Sequence, residues 1–194
     1  MEKKIRSLSS LRSEFTHLYY DAAVSDPLRE KGMFYFRKPD SLKWEYRDPE
    51  TKIWIYEKGE YKYYIPEDNQ LYRGSLQEDA KEAEVLLLLT GRRSILDDYS
   101  VSFDSFTTDR KDVSQIKLTP NEEGEYSSIS LEILKEIQLI SKIIFTDWAG
   151  NKSIFHFDKI RTGIRFKKNE FELKVPPDVE IIDNRPGPDK QTTS

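Results

Sequence analysis

The chain has 194 residues, 37% of them hydrophobic and 34% charged, with a formal net charge of −4. This describes one globular domain long enough to bury a core, and excludes the disordered and membrane-helical classes. No whole-protein field selects nucleic acid, and the absence of cysteine removes disulfides, thiolate nucleophiles and Cys metal sites together.

Ile5, Leu8 and Leu11 recur at helical spacing, which predicts an amphipathic helix over Glu2–Arg12. The start, Met1-Glu2-Lys3-Lys4, leads into that segment without a signal-peptide apolar core. The chain is therefore read as cytoplasmic or as a mature form whose signal has been removed. A strand follows over Ser13–Ala22 with Phe15, Leu18, Tyr19 and Tyr20, then a turn at Asp26-Pro27. Strands are expected at Lys31–Arg37, Ser41–Arg47, Lys52–Lys58 and Tyr61–Ile65, separated by Pro39-Asp40, Asp48-Pro49 and Gly59. In Ser41–Arg47, Leu42, Trp44 and Tyr46 alternate with Lys43, Glu45 and Arg47, so the two sets occupy opposite faces of a sheet. Pro66–Asn69 is read as the end of this meander.

Leu76–Thr90 has acids near its start, strong helix formers throughout and Gly91 as a stop, which predicts a helix. Strands resume at Tyr99–Phe106, Gln115–Thr119, Ser127–Leu134, Ile137–Asp147, Lys152–Lys159 and Phe171–Val175. Asp147-Trp148-Ala149-Gly150-Asn151 has hairpin-turn composition. Residues 1–183 form one domain, and 184–194 are read as a disordered polar tail. The architecture expected is mainly β with helices (α+β), an open antiparallel barrel of about eleven strands with helices against one side.

Little in the sequence nominates catalysis. The two histidines, His17 and His156, fall in predicted strands and are read as packed or surface residues. No glycine-flanked nucleophile turn, phosphate-cradling loop or metal-ligand spacing is present. Asp97-Asp98 and Glu122-Glu123 are read as solvated loop acids, and Arg161, Arg165, Lys167 and Lys168 as loop charge. No catalytic residue, metal or cofactor is assigned. The surplus of aromatic side chains on curved strands fits either an ordinary core or a ligand trough between sheet and helix.

The order of several motifs carries a resemblance. Gly32-Met33-Phe34-Tyr35-Phe36-Arg37-Lys38-Pro39, then Leu42-Lys43-Trp44-Glu45-Tyr46 and Pro49, resembles the LolA family of periplasmic lipoprotein carriers. Tyr64-Ile65-Pro66, Leu87-Leu88-Leu89-Thr90-Gly91, Leu118-Thr119-Pro120, Asp147 to Asn151 and Phe171 to Pro177 follow in the family's order. The resemblance spans roughly residues 5–183 and implies an incomplete barrel with a helical lid. It also implies a non-enzymatic periplasmic monomer. Such a carrier takes acylated lipoproteins from an inner-membrane ABC exporter of the Lol type to an outer-membrane acceptor.

On that basis the trough is expected to be built from Leu18, Phe34, Phe36, Leu42, Trp44, Trp54 and Tyr56. The lid would be Ile5, Leu8 and Leu11 with Leu86, Leu87, Leu88 and Leu89. The family places a basic residue, usually Arg, before the strand-ending proline, where it bonds lid carbonyls; Lys38 matches it, with Arg37 beside it. A shuttle for another lipid or glycolipid, or a periplasmic interaction or sensor module on the same fold, are the alternatives. An acceptor of the LolB type would require a lipid-modified cysteine, which the sequence lacks.

Overall fold

The computed structural model describes residues 1–24, 26–75, 95–103 and 110–185. The predicted helix Leu76–Thr90, with Leu86 to Leu89, lies outside them, as do residues 104–109 and 186–194.

The N-terminal helix α1 covers Glu2–Ser7. Twelve strands follow among the described residues: β1 Ser10–Tyr20, β2 Leu28–Arg37, β3 Ser41–Asp48, β4 Lys52–Glu57, β5 Glu60–Ile65, β6 Gln70–Ser75, β7 Tyr99–Phe103, β8 Val113–Pro120, β9 Tyr126–Leu134, β10 Ile140–Asp147, β11 Lys152–Thr162 and β12 Glu180–Asp183. A four-residue helix, α2 (Ile95–Asp98), precedes β7. The strands form one open sheet in the order β12-β6-β5-β4-β3-β2-β1-β11-β10-β9-β8-β7. Two local meanders, β1–β6 and β7–β11, are thus joined edge to edge through the β1–β11 pair.

The predicted first helix is too long. Leu8 is already extended at φ −68° and ψ 132°, and the strand begins at Ser10. Leu11 still reaches the apolar face, but by strand period: it pairs with Phe36 and starts the alternation that continues at Ser13, Phe15 and His17. The predicted strand Phe171–Val175 does not form. Residues 163–179 instead cross the convex face of the first meander, where the Phe166 ring meets Tyr35 at 6.0 Å and Phe171 at 5.4 Å. That passage lies on the strands without pairing with any of them among the described residues; the chain joins the sheet edge at β12, which pairs parallel with β6. Both β6 and β12 went unpredicted.

Register fixes two faces. On the concave side Leu11, Phe36, Leu42 and Tyr56 form one cross-strand row, and Ser13, Phe34, Trp44 and Trp54 the next. Phe155 and Phe157 of β11 and Ile143 and Phe145 of β10 continue the wall. Gly32 lies in the third row, with Phe15 and Tyr46. A Cβ there would stand 2.0 Å from the Glu45 carbonyl oxygen and 2.8 Å from the Phe15 ring, so only glycine admits this close approach. The hairpin at Asp147–Asn151 is closed by Gly150 at φ +87°, with the Asp147 carboxylate accepting from the backbone N–H groups of Ala149 and Asn151.

Candidate functional site

The concave wall is one continuous apolar cluster. Phe34, Phe36, Leu42, Trp44, Trp54 and Tyr56 are all buried in it, joined by Phe15, Phe145, Phe155 and Phe157. Trp44 lies near its middle, with ring centroids 4.4 Å from Phe34, 5.0 Å from Phe15 and 5.5 Å from Phe155. Such tilted and edge-on contacts suit aromatic quadrupoles. Ile5 and Leu8 of α1, and Ile95 and Tyr99 from α2 and β7, pack into the same cluster. An open cleft of about 470 Å³ adjoins α1, lined by Lys4, by Glu136 to Leu139 and by Ile160 and Thr162.

Leu18 is not part of this wall. Phe15 and His17 point inward from β1, and alternation sends Leu18 to the convex face, paired with Arg29 and Ile154. Its apolar side chain suggested the trough, but its position in the strand period decides otherwise.

The two basic candidates beside Pro39 diverge. Lys38 reaches α1: its Nζ donates to the Arg6 carbonyl and its backbone N–H to the Ser9 carbonyl. The Arg6 carbonyl belongs to the helix's last turn, where an ammonium satisfies an orphan acceptor and the negative end of the helix dipole. Arg37 goes to the opposite face, with its guanidinium 4.4 Å over the Phe171 ring and 3.4 Å from Glu57.

At the hairpin end of the concave face the wall turns polar, which the sequence reading missed. His17, Glu30, Lys52 and Ser153 converge there. His17 Nδ1 is 3.3 Å from Glu30 Oε2, and its Nε2 is 2.7 Å from Ser153 Oγ. Lys52 Nζ donates to Glu30 Oε1 at 2.9 Å. The His17 ring stacks on Phe155 at 4.2 Å, which seats the group on the aromatic floor. The legible signal was position: His17 shares the inward period of Phe15, and Glu30 that of Phe34 and Gly32.

The hydrogen bond from His17 holds the Glu30 carboxyl below its usual 4.5, burial opposes that, and Lys52 adds to the lowering. Burial alone would lower Lys52, but its bonds to Glu30 and Glu50 prevail and raise it. A carboxyl with a depressed folded-state pKa stabilises the fold above its unfolded pKa, and that stability is lost as pH falls through the folded value. The parent is therefore expected to lose more of its urea midpoint between pH 7 and pH 3 than Glu30→Gln does. Parallel losses would show that Glu30 is not one of the linked groups.

Among the described residues, no group of three or more His, Asp or Glu is placed to hold a metal ion, and no helix is long and apolar enough to cross a membrane.

Comparison with known proteins gives a consistent picture. Curated outer-membrane lipoprotein carrier proteins from Francisella tularensis strains WY96-3418 and OSU18 are each 24% identical over 189 residues, covering 93% of this chain and 84% of theirs. A Thermus thermophilus structure described as an uncharacterized conserved protein has the same fold, with TM-score 0.61, 10% identity and coverage of 94% of this chain and 93% of that one. A chain of the Pseudomonas aeruginosa MucA/MucB complex shares it at TM-score 0.52 and 12% identity, over 89% of this chain and 58% of that one. The family described as "Outer membrane lipoprotein carrier protein LolA" matches residues 6–174. With its open sheet, aromatic concave wall and covering N-terminal helix, the chain belongs to the LolA family.

Proposed function

We propose that the protein is a periplasmic carrier that shelters the acyl chains of lipoproteins against its concave wall. In this reading it acts as a monomer, receives cargo from an inner-membrane ABC exporter of the Lol type and delivers it to an outer-membrane acceptor. The observation that carries the reading is the concave aromatic cluster with α1 packed on it and held by Lys38.

Exposing an acyl chain to water costs about 0.8 kcal/mol per methylene, so a chain of ~15 methylenes costs on the order of 12 kcal/mol. A soluble carrier must cover most of that surface and still release it. Ile5 and Leu8 supply the cover in the closed state. An entering acyl chain replaces their contacts as α1 withdraws, so opening exposes little apolar wall to water. Lys38, with a single ammonium on the Arg6 carbonyl, makes a lighter fastening than the planar fork of an arginine would.

Titration with a fluorescent long-chain acyl probe tests it. Phe36→Glu in the wall and Leu8→Glu on the cover are each expected to weaken binding at least about tenfold, since each puts a carboxylate where the chain lies. Circular dichroism melts on the same samples separate lost binding from lost folding. Folded variants that bind as well as the parent would place the trough elsewhere. Lipid found by native mass spectrometry after bacterial expression would support carriage independently.

A further inference from the structure

The polar group at the hairpin end of the concave face has no part in covering acyl chains. Its placement is systematic. Going along β1, the inward positions are Leu11, Ser13 and Phe15, then His17, then Tyr19. Tyr19 pairs with Leu28, and both are exposed, at 37% and 54%. The wall therefore meets water one row beyond His17. Glu30, only 8% exposed, lies in the last sheltered row. From Leu11 to His17 the wall runs about 20 Å at strand rise, comparable with an extended long acyl chain.

The stability linked to the Glu30 charge does not by itself call for this group. A part-buried ion pair such as Glu30–Lys52 commonly contributes no more than apolar residues of the same shape. What the group offers is a held donor. Glu30 accepts from Lys52 through one oxygen and from His17 Nδ1 through the other, and His17 Nε2 shares a 2.7 Å hydrogen bond with the Ser153 hydroxyl. Lys52 is thereby fixed by Glu30 on one side and Glu50 on the other. Two of its three protons are used, and the third has no protein partner among the described residues.

We propose that Lys52 is a headgroup anchor: its ammonium binds the carbonyl of the ester or amide that joins an acyl chain to its head, at the border where the apolar floor ends. Glu30, His17 and Ser153 are positioning residues that hold it there. The proposal rests on the carrier reading and says which way round the cargo lies: chain tails toward α1, polar linkage toward the β1–β2 and β10–β11 hairpins. Ser153, His17 and Glu30 are also bonded in the order of a nucleophile, a base and an acid. Ser153, however, sits within a strand whose backbone pairs on both sides with Tyr19 and Phe145. It therefore lacks the exposed strand-to-helix turn on which a nucleophilic serine sits.

Displacement of a fluorescent acyl probe tests the anchor with three competitors: dipalmitoylglycerol (esters), N-palmitoylglycine methylamide (amide) and dihexadecylglycerol (ethers, no carbonyl). The parent is expected to bind one or both carbonyl ligands about tenfold more tightly than the ether, the contribution of one charged hydrogen bond. Lys52→Met, made together with Glu30→Gln so that no carboxylate is left buried without its ammonium, is expected to bring the three ligands to within about twofold of one another, and Lys52→Arg to retain most of the preference, with circular dichroism melts showing both variants folded. The ester and amide arms show which linkage is read. No preference in the parent, or a preference that survives the double substitution, overturns the anchor and leaves the carrier standing. Failure of all three ligands to bind removes the carrier reading and the anchor with it. Release of free palmitate by the parent and not by Ser153→Ala would also overturn the anchor, since the array would then be reacting with the linkage.

Discussion

Trp44→Ala is expected to lower the unfolding free energy by about 4 kcal/mol, a large part of the stability of a domain this size. Trp44 is where the two meanders touch: its ring meets Phe15 and Phe34 of the first and Phe155 and Phe157 of the second. Truncation leaves an indole-sized void between walls fixed by strand register, which cannot collapse to fill it. Urea denaturation followed by far-UV circular dichroism gives the difference. Trp148, exposed at the β10–β11 tip with its ring N–H on the Gly124 carbonyl, is the control, and its alanine variant is expected to lie within about 0.5 kcal/mol of the parent. Equal costs at the two positions would mean that the concave cluster is not the principal core.

The second large effect belongs to the other face. Glu132 has a side chain only 1% exposed, with Lys142 Nζ 2.7 Å from its carboxylate across the β9–β10 pair. Lys142→Met keeps most of the packed volume and removes the charge, leaving the carboxylate buried without that ammonium. Breaking such a pair costs about 3–5 kcal/mol. Removing both charges in Glu132→Leu with Lys142→Met is expected to restore most of the loss, because neither residue is then left charged in a poor environment. A double-mutant cycle in urea measures this; a double variant as unstable as the single one would show that Glu132 serves other partners more than Lys142.

How much of this was legible depended on whether local sequence decided the outcome. β2 to β5 could be read because aromatic and charged residues alternate between strong turn signals, as in Leu42 to Arg47. The Asp147–Asn151 hairpin was legible for the same reason: its conformation is set by Gly150 and the Asp147 carboxylate. β6 was not, because Gln70 to Ser75 has weak strand character and Gly74 sits beneath the Tyr61 ring, a cross-strand arrangement. β12 owes its conformation to parallel pairing with β6, more than a hundred residues earlier in the chain. The contrast between Leu18 and His17 has the same root. Residue type argued for one and period for the other, and the sheet follows period. Period could place His17 and Glu30 on the inward face, but their meeting with Lys52 and Ser153 was not legible, because the four come from four strands.

The strand order also constrains when the protein can become whole. β1 lies at the centre of the sheet, yet one of its two neighbours, β11, ends at Thr162. The β1–β6 ribbon can assemble from nearest neighbours as it emerges from a ribosome. β1, the free border of that ribbon, then keeps one flank of amide and carbonyl groups bare until β11, Lys152–Thr162, has arrived. Only a strand in the last quarter of the polypeptide seals that seam, so a partly translated molecule has half a floor and an adhesive border.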